Sequence, residues 1–243
     1  MLKFQQISAS YDGIHQAVDH VSFTVERPAI VGIIGPNGAG KSTFIKAALH
    51  LISNTGETTI EGQPLKSVQK KIAYVEQKTA IDYTFPITVR ECVSLGLYPQ
   101  KTIFQRFSKT DWQKVDAALD LVKMSEFTER QIGELSGGQF QRVLIARTLV
   151  QEASYIFLDE PFVGIDATSE GIIMDLLQNF KAQGKTIFIV HHDLSKVEDY
   201  FDELVILNKQ LIAHGPIKET FTEKNLIAAF GDSIFIKGGR LND

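Results

Sequence analysis

Three short stretches of this chain carry residue types and spacings that can do chemistry. The first is Gly35-Pro36-Asn37-Gly38-Ala39-Gly40-Lys41-Ser42-Thr43, which has the G-x-x-x-x-G-K-[ST] spacing of a phosphate-binding loop. Glycines let successive backbone N–H groups turn inward as an anion nest, and a following helix adds its partly positive N-terminus. Lys41 can set a charge between two phosphates, and the Ser42 hydroxyl can ligate Mg²⁺. The plain alternative is a glycine-rich turn. Few such turns carry both outer glycines, the lysine and the hydroxyl together.

The second stretch is Tyr155-Ile156-Phe157-Leu158-Asp159-Glu160, a pair of carboxylates ending an apolar run. In a parallel α/β sheet the strand C-termini line the ligand crevice, where a glycine loop also opens. Asp159 suits the shell of Mg²⁺, and Glu160 can orient or deprotonate an attacking water. The third is Leu135-Ser136-Gly137-Gly138-Gln139 at a helix start. Two glycines there bare the first N–H groups and Ser136 adds a hydroxyl, which makes a second anion site. One phosphate loop plus a separate anion-binding helix start most simply serve a single phosphate tail.

The elements that must position these residues follow from periodicity. Leu2, Phe4 and Ile7, then Val21-Ser22-Phe23-Thr24-Val25, read as strands on either side of the turn Tyr11-Asp12-Gly13. Ile30-Val31-Gly32-Ile33-Ile34 is a strand entering the phosphate loop, and Phe44, Ile45, Ala47, Ala48 and Leu49 continue as a helix. Residues 56–64 read as a hairpin and Lys71–Val75 as a strand. Thr88 and Glu91 stand at capping-box spacing, as do Ser136 and Gln139. Val115, Ala118, Leu119, Leu121 and Val122 mark a further helix. Strands return at 155–158 and 186–190 around a helix over 167–183, and a hairpin turns at Asn208-Lys209 before a short helix near 222–230.

This pattern predicts an α/β fold: a P-loop NTPase core with a mainly parallel sheet, an N-terminal antiparallel β subdomain and an inserted α-helical subdomain. The expected organisation is one domain over 1–243, with core at 1–77 and 151–216, helical lobe at 78–150 and C-terminal extension at 217–243.

Bulk composition narrows the classes. The 243 residues carry a formal charge of -4, which argues against a general nucleic-acid binder. A lone cysteine, Cys92, excludes an internal disulfide framework. No run approaches the ~18 apolar residues of a membrane span, and Met1-Leu2-Lys3-Phe4-Gln5 has no signal-peptide character. A membrane role is therefore expected to come through a partner. The six histidines and Cys92 form no recognisable ligand cluster, so no transported metal is expected to bind this chain.

Taken in order along nearly the whole chain, these motifs resemble the nucleotide-binding subunit of ATP-binding cassette (ABC) transporters. The resemblance implies ATP and Mg²⁺ as cofactors. It also implies a head-to-tail homodimer that encloses two ATPs, the phosphate loop of one copy facing Ser136 of the other. By the same resemblance Gln77 is the lid glutamine that reaches Mg²⁺ and the attacking water, Tyr11 stacks on adenine, and Pro161–Asp166 links the two sites. The family's histidine stands directly before an aspartate, which selects His192 (before Asp193) over His191. On identity alone Tyr11 would be surface packing and Gln77 a strand end; position relative to the phosphate loop raises both.

Tyr74–Val89, Phe140-Gln141-Arg142-Val143, Pro161–Asp166 and His191–Leu194 resemble a narrower group, bacterial importers of manganese, zinc or iron. That implies a place on the cytoplasmic face of the membrane, a separate integral permease and an extracellular solute-binding protein. The permease is expected to dock on the helical lobe near Gln77–Tyr98, where Tyr83, Phe85, Pro86, Val89, Leu97 and Tyr98 cluster. Val89 and Leu97 suit the lobe's own core better. The competing class is a soluble cassette ATPase acting on nucleic acid or ribosomes. Such chains usually carry two cassettes or a long coiled coil, which do not fit here. An exporter subunit is a variant of the transport reading.

Overall fold

A computed structural model describes residues 1–77, 82, 84–102 and 105–231. Tyr83 and residues 78–81 of the expected docking face lie outside the described residues, as do residues 232–243 of the C-terminal extension. The described chain forms two compact units, residues 1–68 with 188 onward, and residues 69–187.

In the first unit, β1 (Leu2–Ser10) and β2 (Gln16–Val25) pair antiparallel, with Leu2 opposite Val25 and Phe4 opposite Phe23. β3 (Ile30–Ile34) is buried along its whole length, and the loop after it leads into α1 (Lys41–Ala48). β4 (Thr55–Ile60) joins the other edge of β1 and turns back as β5 (Gln63–Pro64), giving an antiparallel sheet in the order β2-β1-β4-β5. This is the N-terminal β subdomain expected from the alternating apolar pattern. Phe4 centres its core, with ring centroids 4.7 Å from Phe23 and 5.2 Å from Phe44 of α1. Burying each such ring contributes about 1.5–3 kcal/mol, so this aromatic cluster holds α1 against the sheet.

The second unit opens with β6 (Ile72–Val75). It continues through α2 (Val89–Ser94), α3 (Lys109–Leu121) and α4 (Gly137–Val150), then β7 (Tyr155–Leu158) and α5 (Ala167–Ala182). β6 and β7 are parallel, with Ile72 opposite Tyr155 and Val75 opposite Leu158. The helical part packs α2, α3 and α4 together through Val89, Val93, Val115, Leu119, Phe140 and Val143, all fully buried or nearly so. Both anticipated capping boxes are present: Thr88 with Glu91 starts α2, and Ser136 with Gln139 starts α4. A third, Ser108 with Asp111, starts α3 and is not among the two anticipated from spacing.

Leu121 departs from the apolar stripe assigned to α3. It is 59% exposed while Val115, Ala118, Leu119 and Val122 are buried. Those four share one helical face by three- and four-residue steps, and Leu121 falls off it.

β8 (Thr186–Val190) carries the chain back to the first unit. There α6 (Val197–Tyr200) precedes β9 (Glu203–Asn208), which runs parallel to β3 with Val31 opposite Glu203 and Ile34 opposite Ile206. β10 (Gln210–Pro216) folds back antiparallel on β9, and α7 (Ile217–Thr220) and α8 (Glu223–Phe230) follow. Lys209 at the hairpin tip has φ 60°, as a tight turn after Asn208 demands.

Candidate functional site

The phosphate loop connects a fully buried strand to a helix whose start has no side-chain cap. Gly40 takes the N-cap position with φ 87° and ψ 15°, and the first turn of α1 holds no acidic residue. Glycine is needed at two points for space as well. A Cβ on Gly35 would stand 2.1 Å from the Leu207 carbonyl oxygen, and one on Gly40 would stand 2.3 Å from that of Ala17. The loop backbone is thus pressed against its own unit, with Pro36, Asn37 and Gly38 at the surface. Ala39 N–H donates to the Pro36 carbonyl at 3.1 Å and closes the turn.

Lys41 curls back over this loop. Its ammonium donates to the carbonyls of Gly35 (2.8 Å) and Pro36 (3.0 Å), and the residue is only 6% exposed. Ser42 follows in the first turn of α1, partly exposed. Next comes Thr43, whose Oγ1 lies 3.2 Å from the hydroxyl of Tyr11. Tyr11 is otherwise open to solvent, its residue 71% exposed. An exposed aromatic face anchored by its hydroxyl to the helix that follows the phosphate loop can take a base while the loop takes the phosphates.

The two histidines after β8 point apart, as alternation along an extended chain requires. His191 is buried at 6%, its ring 5.6 Å from that of Phe201 and 5.9 Å from that of Tyr200. Its N–H continues the ladder to the Ile33 carbonyl at 3.1 Å. His192 is exposed.

In the second unit the carboxylate pair caps β7. Asp159 is 3% exposed, and its N–H extends the pairing to the Val75 carbonyl at 3.0 Å. Glu160 has φ 54°, a left-handed conformation that costs a non-glycine residue roughly 1–3 kcal/mol and gathers at functional sites. Two residues past β6, Gln77 donates through Nε2 to Oε2 of Glu160. The residues singled out as lid glutamine and water-activating base are therefore brought together.

At the start of α4, Ser136 Oγ accepts from the N–H of Gln139 at 3.3 Å, and Gln139 Oε1 accepts from the N–H of Ser136 at 2.8 Å. Ser136 is exposed and Gly138 is buried. Asp166 closes the loop after Glu160 and caps α5, accepting from the Ser169 N–H at 2.9 Å and the Ser169 hydroxyl at 2.8 Å. These bonds hold the Asp166 carboxyl below the usual aspartate range, the backbone bond contributing most. Arg142 is shifted down by burial, with the charge of Asp166 working against that shift.

Two features have no simple sequence signal. Tyr11 and Thr43 are 32 positions apart, and nothing in their spacing pairs them. Ser169 sits under Gly138, and the D-x-x-S spacing of Asp166 and Ser169 announces only a helix cap. Among the described residues no group of three or more His, Cys, Asp or Glu side chains could hold a metal ion, and no helix is long and apolar enough to cross a membrane.

The chain is similar to known proteins in sequence and in fold. The family model of ABC transporters matches residues 18–163. The manganese transport system ATP-binding protein MntB of Listeria innocua is 50% identical over 218 residues, 89% of this chain and 91% of that protein. The zinc transport system ATP-binding protein TroB of Treponema pallidum is 43% identical over 215 residues, 88% of this chain and 81% of that protein. A solved dimeric bacterial ABC transporter cassette, MJ0796, superposes with a TM-score of 0.78 at 26% identity, covering 89% of this chain and 99% of that one. The chain belongs to the ABC transporter family, as an ATP-binding and ATP-hydrolysing cassette.

Proposed function

We propose that this cassette powers uptake of a divalent metal ion, manganese first and zinc or iron next, through a separate membrane permease. The observation that carries the reading is the 50% identity to a manganese-system subunit over 89% of the chain. Identity at that level and coverage disfavours the soluble ATPase reading and the exporter variant. The metal is cargo of the permease and of an extracellular solute-binding protein, and this subunit works on the cytoplasmic face of the membrane.

In this reading Gly35–Thr43 cradles the phosphates and Lys41 exchanges its two carbonyl partners for phosphate oxygens. Tyr11 stacks on adenine. Ser136, Gly137, Gly138 and Gln139 offer backbone N–H groups and a hydroxyl to the γ-phosphate of the ATP held by a second copy, so a closed homodimer encloses two nucleotides. Glu160 accepts the proton of the attacking water, Gln77 orients that water, and His192 steadies the γ-phosphate.

The donor set suits Mg²⁺: the Ser42 hydroxyl, the buried Asp159 carboxylate and the Gln77 amide oxygen are hard oxygen ligands. A few protein oxygens suffice, because substrate phosphates and water complete the shell of that ion. When bound, Mg²⁺ neutralises charge on the β- and γ-phosphate oxygens.

We assign permease docking to residues 78–150, near Gln77–Tyr98. Phe85 and Tyr98 are 60% and 57% exposed, whereas Val89 and Leu97 are buried in the lobe and serve its core. Because Gln77 leads into that region and touches Glu160, a partner seated there has a short route to the base.

The test is cellular metal content. Deleting the gene should lower manganese accumulation, and the wild-type gene should restore it while Lys41→Ala does not. Unchanged manganese, zinc and iron in the deletion strain would overturn the proposal.

A further inference from the structure

We propose that Ser169 is a positioning residue for the ATP clasp, fixing the start of α4 to the end of the loop Pro161–Asp166. The inference rests on the reading that Ser136–Gln139 grips phosphate. Ser169 is 6% exposed and is not itself one of the groups assigned to nucleotide. Two sets of contacts converge on it. A Cβ built on Gly138 would lie 2.4 Å from Ser169 Oγ, 2.8 Å from Ser169 Cβ and 3.2 Å from Asp166 Oδ2, so the α4 backbone rests directly on this side chain. Ser169 also engages both carboxylate oxygens of Asp166, its N–H donating to Oδ1 at 2.9 Å and its hydroxyl to Oδ2 at 2.8 Å.

Asp166 therefore cannot swing without disturbing Ser169, and Ser169 cannot shift without pressing on Gly138. Close-packed contacts of this kind transmit sub-ångström displacements, because there is no void to absorb them. Arg142 stands one turn along the same face of α4. Its Nη1 donates to the Val122 and Lys123 carbonyls at 3.2 and 3.3 Å, which holds this part of α4 to the end of α3. On this proposal the clasp and the linking loop are coupled through Ser169. Gly138 is one of the residues read as gripping phosphate, so its seating bears directly on closure of the dimer.

The test uses the full chain carrying Glu160→Gln to block hydrolysis. Adding Ser169→Ala should leave MgATP affinity within about twofold and weaken ATP-driven dimerisation about tenfold or more. Gly138→Ala should weaken dimerisation as well, and combining it with Ser169→Gly should recover part of that loss, the non-additivity expected of residues in contact. Three results would each overturn the assignment: dimerisation unchanged by Ser169→Ala, nucleotide affinity and dimerisation falling together, or strictly additive effects of the pair. Ser136→Ala, run alongside, separates the two readings. If Ser136→Ala weakens dimerisation and Ser169→Ala does not, only the role of Ser169 is overturned; if both leave dimerisation intact, the clasp reading falls and takes the role of Ser169 with it.

Discussion

Replacing Tyr11 by alanine should weaken ATP without touching the phosphate cradle. The ring is exposed, so removing it opens no cavity, and Tyr11→Ala should fold normally. What is lost is the ring proposed to stack on adenine. Base–aromatic stacking is worth about 1–3 kcal/mol per base, which corresponds to roughly 5- to 150-fold in dissociation constant. Tyr11→Phe keeps the ring and loses only the hydroxyl contact to Thr43 at 3.2 Å. A net hydrogen bond contributes about 0.5–1.5 kcal/mol, and a part-exposed one falls at the low end, so a loss of about two- to threefold is expected. Calorimetric titration with ATP and with inorganic tripolyphosphate, both with Mg²⁺, separates base from phosphate binding. The alanine variant should lose ATP affinity and keep tripolyphosphate affinity. Equal losses for both ligands, or ATP affinity within about twofold of wild type, would refute the stacking argument.

Further outcomes are expected. Phe85→Ser and Tyr98→Ser, both at exposed positions, should leave the ATPase rate of the isolated subunit within about twofold while transport by the full complex falls; loss of both activities would mean a core role instead. His192→Ala should lower kcat by about 10²-fold or more at unchanged melting temperature. His191→Ala should instead lower stability by about 1–3 kcal/mol, and the reverse pattern would reassign the pair. Asp111 is held down to about 2 from its ordinary 3.8, chiefly by Lys101 and then by Ser108. Its contribution to stability is complete above 3.8 and lost as pH falls through about 2, so Asp111→Asn should flatten the acid-melting curve in that window. Parallel curves for the two proteins would contradict it.

Much of the candidate site is legible in sequence because each part is contiguous and built on one strand-to-helix junction. Gly35–Thr43, Ser136–Gln139 and Asp159-Glu160 each place their chemistry within a few residues of a recognisable strand end or helix cap. The strands themselves and the parallel character of the sheet follow from apolar runs alternating with helices, whereas the pairing of β3 with β9 and of β6 with β7 is read only from the structure. What sequence hides is contact between segments. Tyr11 reaches Thr43 through the fold of the first unit, and Ser169 meets Gly138 only because α4 and α5 approach closely at their starts. Local chemistry can be overlooked as well. Ser108 and Asp111 have capping spacing, yet the polar stretch from Pro99 to Thr110 obscures it. Leu121 shows the opposite error, an apolar residue near the end of a helix that belongs to no buried face. The register shifts of β1 between Phe4 and Ser10 are likewise invisible to simple alternation.

In the proposed mechanism each copy supplies half of two ATP sites, and Glu160 drives hydrolysis once they close. Its most direct test is the oligomeric state of Glu160→Gln by light scattering, with phosphate release measured in parallel. Expected are single copies without nucleotide, a stable dimer in saturating MgATP, and turnover slowed at least ~10²-fold by loss of the base. A variant that stays single in saturating MgATP, or that turns over near the wild-type rate, would contradict it.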